Sequence, residues 1–171
     1  MDPLEYSAMI RRYQTTFGAG LRPPPDREPN SDQMACVCDI LKLGMVPYVD
    51  FAVWGPHASR KDKQQNCTGL VLGGNGVFHR IEIKGPPGIK EWLKCWAIYR
   101  TALLMANAVD LGVLDSYHDK IVHYCDTYGP GVWMLLYQAD VRARSDQLQR
   151  IQVDQVQEHQ DAVGAGGGHT I

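Results

Sequence analysis

Residues 85–110 read GPPGIKEWLKCWAIYRTALLMANAVD, and this stretch decides the fold that the sequence predicts. Its large apolar side chains recur at intervals of three and four residues, which places them on one face of an α-helix. A second apolar stripe runs beside the first, so only a narrow strip of the helix is polar. Gly85 and the two prolines after it mark the start, because proline is tolerated where a helix begins. The pattern predicts a central helix that is buried on most of its circumference.

The aromatic residues of this helix are predicted to fill a core. Trp92 and Trp96, one turn apart, could instead form a stacking or partner-binding surface. Core packing is the favoured interpretation, because large aromatic side chains at helical spacing usually lie in protein interiors. The candidate core residues are Trp92, Trp96, Tyr99, Leu103, Trp133 and Tyr137.

Size and composition indicate one folded domain with tails. The chain has 171 residues, of which 44% are hydrophobic, with 17 basic residues against 19 acidic ones. This balance gives no overall attraction to nucleic acid or to membranes, so binding of either kind would be local. The N-terminus lacks the apolar core of a signal peptide, and no run approaches the roughly 20 apolar residues of a membrane span. We therefore expect an intracellular protein, cytoplasmic or nuclear, with reduced cysteines and no membrane partner.

The sequence divides into four regions. Residues 1–20 predict an N-terminal helix capped by Asp2, and residues 21–30 contain four prolines and predict an extended linker. Residues 31–150 predict a folded α+β domain. In residues 151–171 glutamines, acids and glycines predict a polar helix extension and a disordered tail. The linker would leave the first helix detached from the domain.

Three strands are predicted within the folded domain. Residues 48–54, YVDFAVW, alternate with a period of two, which is typical of a strand with one apolar face. Residues 68–72 and 77–84 flank Gly-Gly-Asn-Gly, where Asn-Gly supplies the positive backbone angles of a tight hairpin turn. The expected fold class is α+β, with a small, mostly antiparallel three-stranded sheet packed on three to four helices.

Two groups of basic residues are candidates for binding a partner or nucleic acid. Arg60, Lys61 and Lys63 lie in a predicted loop, where solvated charge is the simpler interpretation. Arg142 and Arg144 lie on the last predicted helix. Asp140 and Arg144 are one turn apart there, and this pair is expected on the exposed side of the helix.

One pattern has catalytic potential. Glu82 and Lys84 on one predicted strand, with Asp50 on an earlier one, are similar to the acid, acid-x-lysine motif of restriction-like nucleases. In those enzymes two carboxylates hold Mg²⁺ and the lysine orients the attacking water, so the residues must converge at one sheet edge. Against this, a chain of this composition contains about one acid-x-lysine triplet by chance. No Cys-x-x-Cys or zinc-knuckle spacing is present, so we expect no metal or cofactor outside this Mg²⁺ alternative.

The region also has a recurrent pattern: a Gly-Pro-Pro, two tryptophans and a Tyr-Arg, then a tryptophan and an acidic-basic run. The matching residues are Gly85, Pro86, Pro87, Trp92, Trp96, Tyr99, Arg100, Trp133, Asp140, Arg142 and Arg144. Over residues 31–150 this resembles a family of uncharacterised repetitive segments of dinoflagellate genomes that are thought to be retroelement-derived. The family has no established activity. Its origin implies a gag-like structural role, although the zinc knuckles typical of gag nucleocapsid regions are missing.

The expected function is a non-catalytic interaction or assembly module of gag-like origin. Its partner would be another protein or a second copy of the chain, with nucleic-acid binding weak at most. The alternative is a Mg²⁺-dependent restriction-like nuclease that uses Asp50, Glu82 and Lys84.

Overall fold

The computed structural model describes residues 1–45, 47–51, 54, 66–72, 74, 76–84 and 87–147. The helices in these ranges are α1 (Pro3–Thr16), α2 (Ser31–Lys42), α3 (Ile89–Met105), α4 (Leu111–Tyr128) and α5 (Trp133–Arg142). Between α2 and α3 lie two strands, β1 (Asn66–Leu72) and β2 (Phe78–Lys84). A 3-10 turn, Pro130–Val132, precedes α5, and a π-helical turn, Ala143–Gln147, follows it. In the described part of the chain no helix is long and apolar enough to cross a membrane.

The fold is mostly helical, so the predicted α+β class with a three-stranded sheet is wrong. β1 and β2 pair antiparallel from Asn66 opposite Lys84 to Leu72 opposite Phe78, which confirms the predicted hairpin. The expected third strand does not form over its described residues. Residues 47–50 have no regular structure, and Phe51 lies in a turn that the N–H of Trp54 closes on the carbonyl of Asp50 at 2.8 Å. Residues 52 and 53 lie outside the described ranges.

Side chains donate hydrogen bonds to backbone carbonyl groups that, in a third strand, could have paired with a neighbouring strand. The Tyr99 hydroxyl donates to the carbonyl of Pro47. An Arg144 guanidinium N–H donates to the carbonyl of Val49 at 2.8 Å, and the Cys95 thiol donates to that of Trp54 at 2.9 Å. Backbone groups buried in this way are satisfied without a sheet. The segment is therefore a loop fixed against the helices, and its alternation arises because Val49 and Phe51 are both buried.

The central helix predicted from residues 85–110 is α3, and it forms the middle of the core. Trp92, Trp96, Tyr99 and Leu103 are each at most 3% exposed. Trp133 and Tyr137 of α5 are also buried, so all six candidate core residues lie in the interior. Glu91, in the first turn, interacts favourably with the positive end of the helix dipole.

The N-terminal helix is attached to the core, which corrects the expectation of a detached appendage. Ile10 of α1 is buried in the core cluster. The Tyr6 hydroxyl donates to the carbonyl of Pro29 at 2.6 Å, and the Arg12 guanidinium donates to that of Met105 at 3.4 Å. Other α1 side chains that pack on the core are Met9, Tyr13 and, just after the helix, Phe17. The apolar stripe of α1 is thus a buried face of the domain.

The proline-rich segment, residues 21–30, folds back onto α1. Arg22 donates to both carboxylate oxygens of Glu28, through Nε and Nη2, at 2.6 Å each. The Tyr6 hydroxyl also lies 3.0 Å from Glu28 Oε1, so its single proton is shared between this oxygen and the Pro29 carbonyl. Burial, with the Glu28 carboxylate adding to it, raises the pKa of Tyr6 to about 12. These bonds hold the segment against α1.

Candidate functional site

A buried ion pair joins α5 to the π-helical turn after it. Arg144 donates through Nε and Nη2 to the two carboxylate oxygens of Asp140, at 2.9 and 2.7 Å. Both residues are at most 2% exposed. The expectation that this pair lies on the exposed side of the helix is wrong, because residues 133, 137, 140 and 144 form one helical stripe that faces the core.

The Asp140 carboxylate connects three helices. The Trp92 indole of α3 donates to Asp140 Oδ2 at 3.0 Å, and the Tyr117 hydroxyl of α4 donates to Oδ1 at 2.8 Å. With the two bonds from Arg144, the carboxylate accepts four hydrogen bonds. Burial and the adjacent Asp140 charge raise the pKa of Tyr117, so this hydroxyl stays a donor at any ordinary pH.

The Arg144 guanidinium contacts aromatic rings as well as Asp140. Its central carbon lies 3.9 Å from the centroid of the Phe51 ring and 5.3 Å from that of Tyr48, which are cation–π distances. Burial acts to lower the pKa of Arg144, but the hydrogen bonds and charge of Asp140 outweigh it and raise that pKa. Arg144 is therefore a permanently charged cross-link inside the protein. It is not accessible to a partner, whereas Arg142 is exposed.

The nuclease residues do not share a sheet edge as the motif requires. Asp50 lies in the irregular loop, within 3.4 Å of the Tyr137 hydroxyl, rather than on a strand. Glu82 and Lys84 are on β2, opposite Thr68 and Asn66, and their side chains are outside the described part of the structure. Arg60, Lys61 and Lys63 also lie outside the described residues.

Large apolar side chains are exposed where α4 ends and α5 begins. We call Tyr124, Tyr128, Met134 and Leu135 the apolar corner; they are 38%, 66%, 42% and 70% exposed. The rings of the two tyrosines are 6.3 Å apart. Gly129 ends α4 with a φ of 74°, a left-handed conformation that favours glycine, and the chain enters α5 within four residues. The short turn places the end of α4 and the start of α5 close together along the chain.

Three of the four residues of the apolar corner, Tyr128, Met134 and Leu135, lie in a stretch of sequence without charge. Residues 127–139, TYGPGVWMLLYQA, contain no acidic or basic residue. Within this run Trp133 turns inward, where its indole donates to the carbonyl of Pro87 at 2.8 Å. The periodicity of the run was sufficient to find its buried residues. The exposed ones were not predicted, because helical periodicity locates the buried stripe and does not distinguish apolar residues that lie off it.

A cleft of about 520 Å³ lies on another side of α3, bordered by α1, α4 and the proline-rich segment. Arg27, Lys94, Arg100 and His118 line it together with Asp26 and Asp115. Arg100 Nε donates to Asp115 Oδ1 at 2.7 Å, and Lys94 donates to Glu91 at 2.7 Å. Lys94 lies on the narrow polar strip of α3, and Arg100 lies at its margin. Their polarity was the feature of the sequence that could have indicated this cleft. The contribution of Arg27 could not be expected while its segment was interpreted as a linker.

Comparison of the chain with models of protein families, with curated proteins and with solved structures finds no match.

Proposed function

We propose that this chain is a non-catalytic assembly module that associates with a second copy of itself through the apolar corner. The observation that carries the proposal is the exposure of Tyr128 and Leu135, at 66% and 70%, on the two sides of one tight turn. Single apolar side chains are ordinary on protein surfaces, whereas clusters of large ones mark contact sites. Tyrosine suits such a site because its ring is apolar and its hydroxyl remains hydrated or hydrogen-bonded.

The lack of charge favours a second copy as the occupant. In a two-fold dimer the same patch meets itself, so any charge at its centre would face a like charge. Residues 127–139 avoid this repulsion because none of them is charged. The exposed Asp126 and Arg142 border the run and would contribute to the polar rim that surrounds the core of an interface.

A gag-like origin is part of this proposal and rests on the sequence pattern alone. The gag-like structural role that this pattern implies agrees with an assembly role. Weak nucleic-acid binding, if it accompanies assembly, would use the exposed Arg142 and the basic residues Arg60, Lys61 and Lys63. Arg144 is excluded from this set because it is buried.

Multi-angle light scattering over a range of protein concentrations tests the proposal. We expect the wild-type mass to rise from that of a monomer to that of a dimer with concentration. Leu135→Asp and Tyr128→Ser should each keep the protein monomeric, because both remove apolar contact area and Asp places like charges opposite each other. Leu43→Asp is the matched control: Leu43 is 72% exposed at the end of α2, outside the corner, and its replacement should leave association intact. A wild-type protein that stays monomeric at the highest concentration contradicts the proposal, as does equal loss of association in the Leu43 control.

A further inference from the structure

We propose that the cleft between α1, α3, α4 and the proline-rich segment binds a small organic anion, a carboxylate or phosphate ester that carries a compact apolar group. The site is separate from the apolar corner and does not depend on assembly. Its volume of about 520 Å³ lies within the range of small-molecule sites, which is roughly 300–1,000 Å³.

More basic than acidic side chains line the cleft, although the chain as a whole has more acidic than basic residues. The whole chain has a formal net charge of -2, yet the cleft combines Arg27, Lys94 and Arg100 with only two acids. Arg27 and Lys94 are more than half exposed, and the contact of Arg27 with Asp26 is long, at 3.9 Å. Arg27 is therefore available to a ligand, whereas Lys94 would exchange its 2.7 Å bond to Glu91 for one to the ligand. Arginine and lysine bind carboxylate and phosphate oxygens through charge-assisted hydrogen bonds.

The Trp96 indole, which lines the cleft, offers no free face on which a ligand could stack. Trp96 lines the cleft but lies between two rings: Trp92 at 5.3 Å with an interplanar angle of 6°, and Tyr117 at 5.2 Å with an angle of 26°. Both faces of the Trp96 indole are thus covered, so only its edge can face a ligand. Leu93 and Ala97 add aliphatic surface beside that edge. The site accordingly suits a compact apolar group better than a stacked nucleobase.

The indole N–H of Trp96 is a second feature that favours an anion. The corresponding groups of Trp92 and Trp133 donate to Asp140 and to the carbonyl of Pro87. The Trp96 Nε1 atom is buried, and no acceptor for it lies among the described residues. A buried donor without an acceptor is destabilising. Because Trp96 lines the cleft, an anion oxygen bound there would accept this hydrogen bond once the lining side chains move to expose Nε1.

NMR titration of the ¹⁵N-labelled 171-residue chain tests the site. The probes are inorganic phosphate, butyrate and butyl phosphate. Sodium chloride at equal ionic strength is the salt control. The four tryptophans give separate indole N–H signals, which report directly on Trp96. We expect saturable shifts of the Trp96 indole and of the Arg27 and Lys94 amides with butyl phosphate or butyrate, and weaker binding of inorganic phosphate. The tighter of the two butyl compounds identifies the anionic group. If none of the three probes shifts these signals saturably, the proposal is wrong.

Charge variants test which residues bind. The double variant with Arg27→Ala and Lys94→Ala should weaken binding by at least about tenfold, since each change removes a charge-assisted hydrogen bond. Lys90→Ala is the matched control, because Lys90 is exposed on the same helix one turn earlier and does not line the cleft. Circular dichroism should show unchanged helicity in both, as the replaced side chains are largely exposed. Equal affinity in the double variant and the control would overturn the assignment.

Discussion

Asp140 and Arg144 form an ion pair 2.7 Å apart in which neither side chain is more than 2% exposed. Removing two charges from water costs several kcal/mol per ion, and only good geometry with further hydrogen bonds offsets this. Both conditions hold here. Trp92 and Tyr117 donate further hydrogen bonds to the Asp140 carboxylate, and the carbonyl of Val49 accepts one from the Arg144 guanidinium. The pair thereby ties α3, α4 and the irregular loop to the end of α5.

Replacement of Arg144 by Ala should be among the most destabilising single changes in the protein. It would leave the Asp140 carboxylate buried without its counter-ion and the Val49 carbonyl without a donor. We expect the free energy of unfolding to fall by about 3–5 kcal/mol, the usual loss when one member of a buried pair is removed. Urea unfolding followed by tryptophan fluorescence measures it.

The control is Arg142→Ala, two residues earlier and exposed, which should change the free energy of unfolding by less than about 0.5 kcal/mol. The double replacement Asp140→Leu with Arg144→Met should recover part of the loss, because it leaves no unpaired charge. Similar effects for Arg142→Ala and Arg144→Ala would show that the pair is exposed in solution.

The two stacked tryptophans should respond differently to the same conservative change. Trp92→Phe removes a hydrogen bond to the charged Asp140, whereas Trp96→Phe removes a donor that has no acceptor among the described residues. Both changes shrink a buried ring by a similar volume. Trp92→Phe should therefore cost about 1.5–3 kcal/mol more in unfolding free energy, which is the contribution of a hydrogen bond to a charged group. Equal midpoints and slopes in urea for the two variants would refute this account.

The sequence predicted those features that depend on local patterns. Two apolar stripes located α3 and its burial, and Asn-Gly located the hairpin. The same approach failed at residues 48–54, because a short alternation of apolar and polar residues has two structural origins. A strand produces it, and so does a loop that buries Val49 and Phe51 while distant side chains occupy its carbonyls. Tyr99 and Arg144, which occupy them, are far away in sequence.

The buried ion pair shows a related limit. An acid and an arginine four residues apart usually form a surface pair, so the spacing of Asp140 and Arg144 predicts a pair in solvent. Their position on the stripe of Trp133 and Tyr137 was visible, but charge was taken as the stronger signal. The donors that allow the carboxylate to be buried come from Trp92 and Tyr117, 48 and 23 residues away in sequence. The cleft was missed for the same reason, since its walls belong to elements that meet only in the folded chain.

Replacement of Ile10 by Ala tests whether α1 belongs to the core. Ile10 is 8% exposed, so the change should leave a cavity and lower the free energy of unfolding by about 2–5 kcal/mol. Leu4→Ala provides the control on the same helix, because Leu4 is 75% exposed and should tolerate the loss. Differential scanning calorimetry compares the two. A detached helix would give the same melting temperature for both variants and the wild type.

The Arg22–Glu28 pair should make the attachment of the proline-rich segment depend on pH. The hydrogen bonds from Arg22 lower the pKa of Glu28, although burial acts in the opposite direction. Because the pKa is lower in the folded protein, this contribution to stability is fully present above the unfolded value of about 4.3 and is lost as the pH falls through the folded value. At pH 7 we expect Arg22→Ala to be less stable than the wild type, by no more than about 1 kcal/mol since the arginine is largely exposed.

That difference should shrink as the pH is lowered from 7 toward the folded pKa of Glu28, because protonation of this carboxylate removes the ion pair from the wild type. Urea unfolding at a series of pH values measures the effect. Arg27→Ala is the control for a general loss of positive charge, since the contact of the Arg27 side chain with Asp26 is long, 3.9 Å. Its difference from the wild type should stay near zero across the range. If the Arg22→Ala difference instead persists below the folded pKa of Glu28, then Arg22 stabilises the segment through packing rather than through the Glu28 carboxylate.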